Sequence, residues 1–413
     1  MIALLVGVAL AATTAETSKE TARYLIERHA RTAQVSSILG AKNASLRGLG
    51  FMYRRTELDQ DELDVFLESV LAGQPKAGIH VALGGGIDLG DHVPVLQSGQ
   101  QEPGLLGLVS RLDTWAHVYD FEAFLGAHLR WGTGPEGGLD FGLPAGWVGY
   151  HTPSWRIGFG VEDRWIGPGR HGGLMLTDNA RPAPLGSIAG EHQFEGTDVR
   201  LRAEVGAGWL DAPRDDVDQP GWLLVDLRVS PTPMLEVGAT RTAIFGGKGR
   251  PTPEFGQLLI PTKPHIENDP EQLLPDQDEM AAFDARLTLP LARWFDGVSI
   301  DYLEIYGQYG GEDVVKRHLG ALPVPVLAGI ANLWGAEAGV GVWTANIEWA
   351  RVMDDGFRWY TGHRIYHDGF TQSGRVMGHP SGGDSINWNA SVRWMPGDWG
   401  VEVDGMLSER VGA

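Results

Sequence analysis

The feature that most constrains this chain is a period of two in side-chain character with charged residues in the middle of it. From Trp155 to Glu162, Trp155, Ile157, Phe159 and Val161 fall on one side, and Arg156, Gly158, Gly160 and Glu162 on the other. That alternation is a β-strand with one apolar face and one polar or small face. It recurs along the chain from Ala77 onward. Val199 to Ala207 alternate with Arg200, Arg202 and Glu204, and Leu223 to Val229 with Asp226 and Arg228. Ala285 to Leu289 alternate with Asp284, Arg286 and Thr288, and Trp388 to Trp394 with Asn387, Asn389, Ser391 and Arg393. Further strands are expected near 79–88, 106–119, 121–132, 139–150, 235–245, 299–309, 327–343, 345–353 and 357–366. Turn-rich intervals separate them at 211–221, 246–278 and 362–385. A Gly167-Pro168-Gly169 run cannot continue a ladder. It leads to a short apolar piece, Leu174-Met175-Leu176, and the polar run Asp178-Asn179-Ala180-Arg181-Pro182.

Two architectures suit many alternating strands. A soluble sandwich or propeller buries the apolar face; an outer-membrane barrel turns it to lipid and keeps the polar face inside. Mid-strand charges such as Arg200, Arg202, Asp226, Arg228, Asp284 and Arg286 suit a wet interior. Tryptophans gather near strand ends (Trp155, Trp165, Trp209, Trp222, Trp294, Trp359, Trp394, Trp399), where an aromatic girdle would lie. At about ten residues per strand plus turns, residues 76–413 accommodate roughly 16–18 strands. The expected fold is therefore all-β, a transmembrane antiparallel outer-membrane barrel with a small N-terminal helical region. The 58 glycines suit the tight turns and close strand contacts of such a sheet.

The N-terminal residues point the same way. Ile2 to Ala12 followed by small residues has the length of a secretory h-region, although Met1 supplies the only positive charge before it, so residues 1–15 are expected to be a leader with an incomplete n-region. Residues 16–75 are expected to be a periplasmic helical region: Thr17 and Glu20 form a capping box, and Leu63, Phe66, Leu67, Val70 and Leu71 make an apolar stripe. Gly73 and Pro75 stop that helix. No apolar run is long enough for a transmembrane helix.

With the strands in order, several runs resemble the Wzi-type capsule assembly family. They are Trp165–Gly169 with Leu174–Pro182, Glu236–Arg241 with Phe245–Arg250, Phe283–Arg286, Tyr306–Asp313, and Gly378-His379 through Gly383-Asp384-Ser385. Each alone is weakly specific; their shared order across about 155–385 is what carries the resemblance. It implies an eighteen-stranded outer-membrane barrel with a small periplasmic helical part, acting in attachment or export of capsular polysaccharide. The chain departs from the family pattern in its helical region and in lacking a terminal aromatic after Ser408.

Charge and composition limit the partners. A net charge of -20 disfavours nucleic acid, and acidic polymers would need local arginines. Aromatic faces stack on sugar rings, Asn and Asp bond hydroxyls, and Arg forks onto uronate or pyruvate carboxylates. The candidate polysaccharide-binding or lumen-loop residues are accordingly Trp165, Asp178, Asn179, Arg181, Arg241, Arg250, His379 and Asp384, with ion pairing and loop folding as the structural alternative for many of them. With no cysteine, thiol catalysis and thiolate metal sites are excluded. His379, Ser381, Asp384 and Ser385 supply triad residue types without a Gly-x-Ser-x-Gly elbow. Gly246-Gly247-Lys248-Gly249 lacks the ending of a phosphate loop. His363 and His367 would form a metal pair only on a helix. Glu312-Asp313 and the acidic 267–279 loop read as solvated surface rather than a calcium site. The expectation is a non-enzymatic barrel with no cofactor and no metal. Its partners would be capsular or extracellular polysaccharide, outer-membrane lipid and export machinery. The alternative is an outer-membrane translocon or porin for exopolysaccharide.

Overall fold

The computed structural model describes residues 6–10, 77–89, 106–118, 121–132, 138–151, 154–253, 277–319, 322–353, 359–394 and 401–410. The helical region expected over 16–75 lies outside them, as does Trp399, and of the expected leader only residues 6–10 are described. The chain forms two compact units, one made of Met1–Trp165, Asp178–Pro182 and Met395–Val401, the other of Ile166–Thr177, Ala183–Trp394 and Glu402–Ala413.

The first unit holds β1 (Val6–Leu10), β2 (Ala77–Leu89), β3 (Leu106–Val118), β4 (Phe121–Gly132), β5 (Gly138–His151) and β6 (Trp155–Val161), each antiparallel to the next. Its faces sort by polarity in the reverse of a soluble sheet. Phe121, Leu125 and Leu129 of β4 are exposed, while the intervening Glu122, Phe124 and His128 are buried. On β6, Trp155, Ile157 and Phe159 are exposed and Arg156 is buried. The Arg156 guanidinium is held between Glu122 (2.7 Å) and Glu162 (3.2 Å) and lies over the Trp147 ring at 4.7 Å. A buried cation is tolerable only when matched in this way.

The second unit holds β7 (Pro184–Gln193), β8 (Arg200–Trp209), β9 (Gly221–Thr232), β10 (Leu235–Phe245), β11 (Gln277–Leu289), a one-turn α1 (Leu291–Trp294), β12 (Tyr302–Leu319), β13 (Leu322–Val340) and β14 (Trp343–Val352). A small ribbon of β15 (Thr371–Gln372) and β16 (Arg375–Val376) follows, then β17 (Ser385–Trp394) and β18 (Val401–Arg410). β7 to β14 pair in sequence order, and β14 skips the ribbon to pair with β17. The connections at 194–199, 233–234, 290–301 and 341–342 lie at one end of these strands, here the turn end. The 210–220 connection and the described parts of the longer ones, 246–253 and 359–384, lie at the other, the loop end.

The alternation read from the sequence is realised residue by residue. Asp226, Arg228, Asp284, Glu304, Glu348, Asn387 and Asn389 are buried on the inward face. Leu227, Phe283, Leu287, Ile305, Ile347, Trp388 and Val392 are exposed on the outward face. Apolar side chains left out and charges taken in cost free energy in water and lower it in a bilayer. The inward face is closely fitted. Tyr306 of β12 lies flat across its register partner Gly335, where a Cβ would come within 2.3 Å of the ring, and so reaches Glu348 (3.0 Å) and Asn346 (2.8 Å) on β14.

Two expectations change. Residues 359–366 are turns rather than part of a strand, because Tyr360 and Gly362 take left-handed backbone (φ 71° and 96°). Leu174–Leu176 stays within a loop and makes a single bridge, Ile166 to Leu176. Of the expected girdle, Trp155, Trp209 and Trp394 do sit at strand ends, and Trp394 stacks on Trp343 at 5.8 Å. Trp222 and Trp359 are instead buried: Trp222 faces inward, where its Nε1–H donates to Thr242 (2.9 Å), and Trp359 packs edge-on against Tyr360. Trp165 lies in a loop after β6, and Trp294 in α1.

Candidate functional site

The inward face of the second unit carries a continuous chain of charges. Arg228 on β9 bonds Asp226 (2.9 Å) beside it, Asp284 on β11 (3.0 Å) and Glu236 on β10 (3.4 Å). Thr240 donates to Asp226 at 2.7 Å. Arg286 continues the chain between Glu236 and Glu304, each at 3.7 Å. Glu304 receives Thr288 (3.0 Å), and Tyr302 donates to Glu337 (2.9 Å). Two glutamates thus stand near the turn end with more negative charge than these neighbours cancel.

The loop Ile166–Thr177 supplies the missing cation. Arg170 reaches Glu337 through Nε (2.8 Å) and Nη2 (3.2 Å), bonds Glu304 through Nη2, and lies 5.6 Å from the centre of the Tyr306 ring. Its own backbone N–H donates to Glu348 at 2.7 Å. Burial would lower its pKa, but the charges of Glu304 and Glu337 outweigh burial and raise it above the ordinary arginine value. The next residues climb towards the loop end. Leu174 N–H donates to Gln308 (2.7 Å), and Gly172 passes so close to His379 that a Cβ would meet its ring at 2.2 Å. Thr177 is tied to Met377 through its N–H (2.8 Å) and to Gly378 through its hydroxyl (2.6 Å). With Leu174, Met175 and Leu176 buried, this loop, named the plug for its position, runs along the polar face, electrostatically seated at one end and backbone-bonded at the other.

Above it the loop-end segments interlock. Arg214 forks onto Asp216 with two 2.8 Å bonds and donates to the carbonyls of Gly369 (3.0 Å) and Thr371 (3.1 Å). Asp368 N–H donates to Asp216 (2.9 Å), Asp215 N–H to Asp368 (2.7 Å), and Gln372 to Asp211. Tyr366 donates to the Gly246 carbonyl (2.9 Å), and Lys248 N–H to that of Asp218 (3.0 Å). Burial works against ionising Asp216, but the Arg214 fork and the N–H groups of Val217 and Asp368 hold its carboxyl below the usual range. Tyr360 donates to Leu174 O (2.8 Å) and accepts from His379 N–H (2.9 Å), joining this cap to the plug.

The eight candidate residues fall in different places. His379 is fully buried, with Nδ1 2.6 Å from Ser381 Oγ, and Ser381 is 2.8 Å from Ser385. Burial, then the neighbouring His171, depress its pKa to about 3, so it stays neutral and folds the turn 379–385. Asp384, in the same turn, is left-handed (φ 53°) and partly exposed. Arg250 is exposed at the tip of the 246–252 segment, which Tyr366 ties to the cap. Arg241 shares the parity of exposed Val237 and so stands on the outward face, paired with Glu279 on β11 at 2.6 Å; it is not a lumen residue. Trp165, Asp178, Asn179 and Arg181 belong to the first unit, with Asp178 and Asn179 buried and the other two half-buried. Arg170, Glu304, Glu337 and Glu348 were not among the candidates. Their signals were an arginine within a glycine run and three glutamates at inward parity, but nothing local says that they meet.

This arrangement can be set against known proteins. A family model, the capsule assembly protein Wzi, matches residues 95–409. The chain belongs to the Wzi capsule assembly family. Among solved structures, it is similar to Wzi of Escherichia coli, with 20% identity and a TM-score of 0.62 over 97% of this chain and 86% of that one. That protein is described as an outer-membrane protein involved in group 1 capsule assembly and a carbohydrate-binding β-barrel. At this identity the likeness gives the fold, that of a β-barrel. No curated protein matches the chain in sequence. Within the Wzi family frame, the 166–177 plug and the cap at 210–220, 246–252 and 359–384 are the parts that can meet a ligand or bar its passage.

Proposed function

We propose that this protein is an outer-membrane barrel that binds capsular or other extracellular polysaccharide and helps retain it on the cell, without catalysing a reaction. The observation that carries this reading is the inverted sheet, apolar outside and ionic inside, in a chain of the Wzi family. The cap supports binding over passage: it is a folded surface, not a set of free loops, and it presents Lys248, Arg250 and the partly exposed Asp384. In a molecule of net charge -20, such local cations are what an acidic glycan could use. Trp165, Asp178, Asn179 and Arg181, all in the first unit, are proposed as a separate candidate set. Arg241 is withdrawn to a structural pairing.

The test is retention. A strain lacking the gene should shed polysaccharide that the complemented strain keeps on its surface. Arg250→Ala and Arg181→Ala in purified barrel should each weaken glycan binding; unchanged binding in both overturns the site assignment while leaving retention open to its own assay. The second reading, a translocon working with export machinery, is favoured by one observation: the turn end of the plug is held by side-chain ion pairs, Arg170 with Glu304 and Glu337 and His171 with Asp404, that a change in charge can release. A translocon should conduct in planar bilayers when its polymer or export partner is present, and a binder should stay closed.

A further inference from the structure

The connection between β11 and β12 does not look like its counterparts at the turn end. The β7–β8 connection, 194–199, carries one exposed aromatic, Phe194, before the polar run Glu195-Gly196-Thr197-Asp198, whereas residues 290–301 read PLARWFDGVSID, with four exposed large apolar side chains. Trp294 and Phe295 are about half exposed, 49% and 56%, and Val298 and Ile300 are exposed as well. The segment is ordered by its own bonds: Phe295 N–H donates to Leu291 O (3.0 Å), Asp301 N–H to Gly339 O (2.8 Å), and Gly341 N–H to Asp301 (2.8 Å). The last two fasten it to the β13–β14 turn, where Val340, Val342 and Trp343 are also exposed and Trp343 stacks on Trp394.

The outward face fixes the height of this apolar lip. On β10 and β11 the last outward charges are Arg241 and Glu279, and below them the outward residues are apolar as far as the turn. Arg241 is in register with Ala281, and eight residues separate Ala281 from Leu289. At about 3.4 Å per residue and a tilt near 40°, they rise about 20 Å along the membrane normal. An apolar band about 25 Å tall therefore ends within the 290–300 turn itself. A leaflet boundary is where aromatic side chains with polar neighbours are most stable.

We infer that the β11–β12 turn is an interfacial anchor, with Trp294, Phe295, Val298 and Ile300 seated at the headgroup boundary of the phospholipid leaflet on the turn side. The occupant is lipid and not a protein, because the patch continues the outward face of β11 and β12, where Leu287 and Ile305 are exposed register partners. The inference rests on the membrane reading above and goes beyond it by giving one turn a partner.

The absence of cysteine makes the test direct. Single variants Val298→Cys, Phe283→Cys and Glu195→Cys, each carrying an environment-sensitive fluorophore, are placed in phospholipid nanodiscs. Quenching by lipids bearing shallow or deep nitroxides is compared with quenching by aqueous iodide. The label at Val298 should be quenched several-fold more by shallow nitroxide lipid than the label at Glu195, and should resist iodide. If it matches Glu195, the turn is in water and the anchor is wrong. If it is shielded from lipid and iodide alike, protein covers it and the anchor is equally wrong. Phe283 reports separately on the membrane reading, since its label must respond to deep nitroxide if the sheet lies in a bilayer.

Discussion

At the scale of the residue, Arg170 does the most. Its guanidinium is the cation for Glu304 and Glu337, while its backbone N–H serves Glu348. Removing one member of a buried ion cluster leaves the others uncompensated, at a cost of about 3–5 kcal/mol. Arg170→Ala should therefore release the plug: single-channel recordings should show openings absent from the parent protein, and the denaturation midpoint should fall. Arg170→Lys should be intermediate, because a point charge cannot replace the fork onto Glu337. A parent-like closed trace for Arg170→Ala would mean that the remaining bonds suffice to hold the plug: the residue 170 N–H to Glu348, His171 to Asp404, and those of Leu174 and Thr177. Tyr306 shows the same economy at closer range. Its partner Gly335 leaves room for a flat ring, and the ring carries a hydroxyl to Glu348 two strands away.

At the scale of the element, the cap is sensitive to acid through two groups of opposite type. His379 titrates near 3 when folded against about 6.5 when unfolded. The unfolded turn thus binds the proton more readily, and the stability His379 contributes is full above about pH 6.5 and declines as pH falls. Asp216 is depressed by Arg214 and two N–H groups, so its contribution is present above the ordinary aspartate pKa and is lost as pH falls through the folded value. Both slopes have the same sign. Amide protection factors at 366–383, corrected for the intrinsic pH dependence of exchange, should fall from about pH 6 downward, and His379→Gln should remove the upper part of that dependence. Protection factors independent of pH between about 6 and 4 would contradict the burial assigned to His379. The plug and cap were only half legible beforehand. The glycines, prolines and polar runs marked 166–182, 211–221 and 362–385 as loops, yet Tyr360 bonding Leu174 joins residues 186 positions apart.

At the scale of the whole molecule, a protein of net charge -20 that binds an acidic glycan must do so through local cations against its own field. Added salt screens the long-range repulsion and the exposed contacts of Lys248 and Arg250 together. If the exposed arginine contacts dominate, affinity for an acidic polysaccharide should fall between low and physiological salt, and Arg250→Ala should flatten that fall. Affinity rising with salt would place binding on the half-buried residues of the first unit instead.

The sequence by itself determined the fold class, because a strand reports its two faces at every second residue and mid-strand charges such as Asp226, Arg228 and Asp284 tell a wet inside from a lipid-facing outside. It also placed the loops at 211–221 and 362–385 and most strand limits, although β12 runs to Leu319, past the expected end at 309. Tertiary structure alone decided which inward charges meet. Arg170 and Glu337 are 167 residues apart, and their pairing depends on register and on where the plug enters. It likewise moved Arg241 from the lumen to the outward face, since the parity of a strand is set by its neighbours' registers and not by the residue's own chemistry.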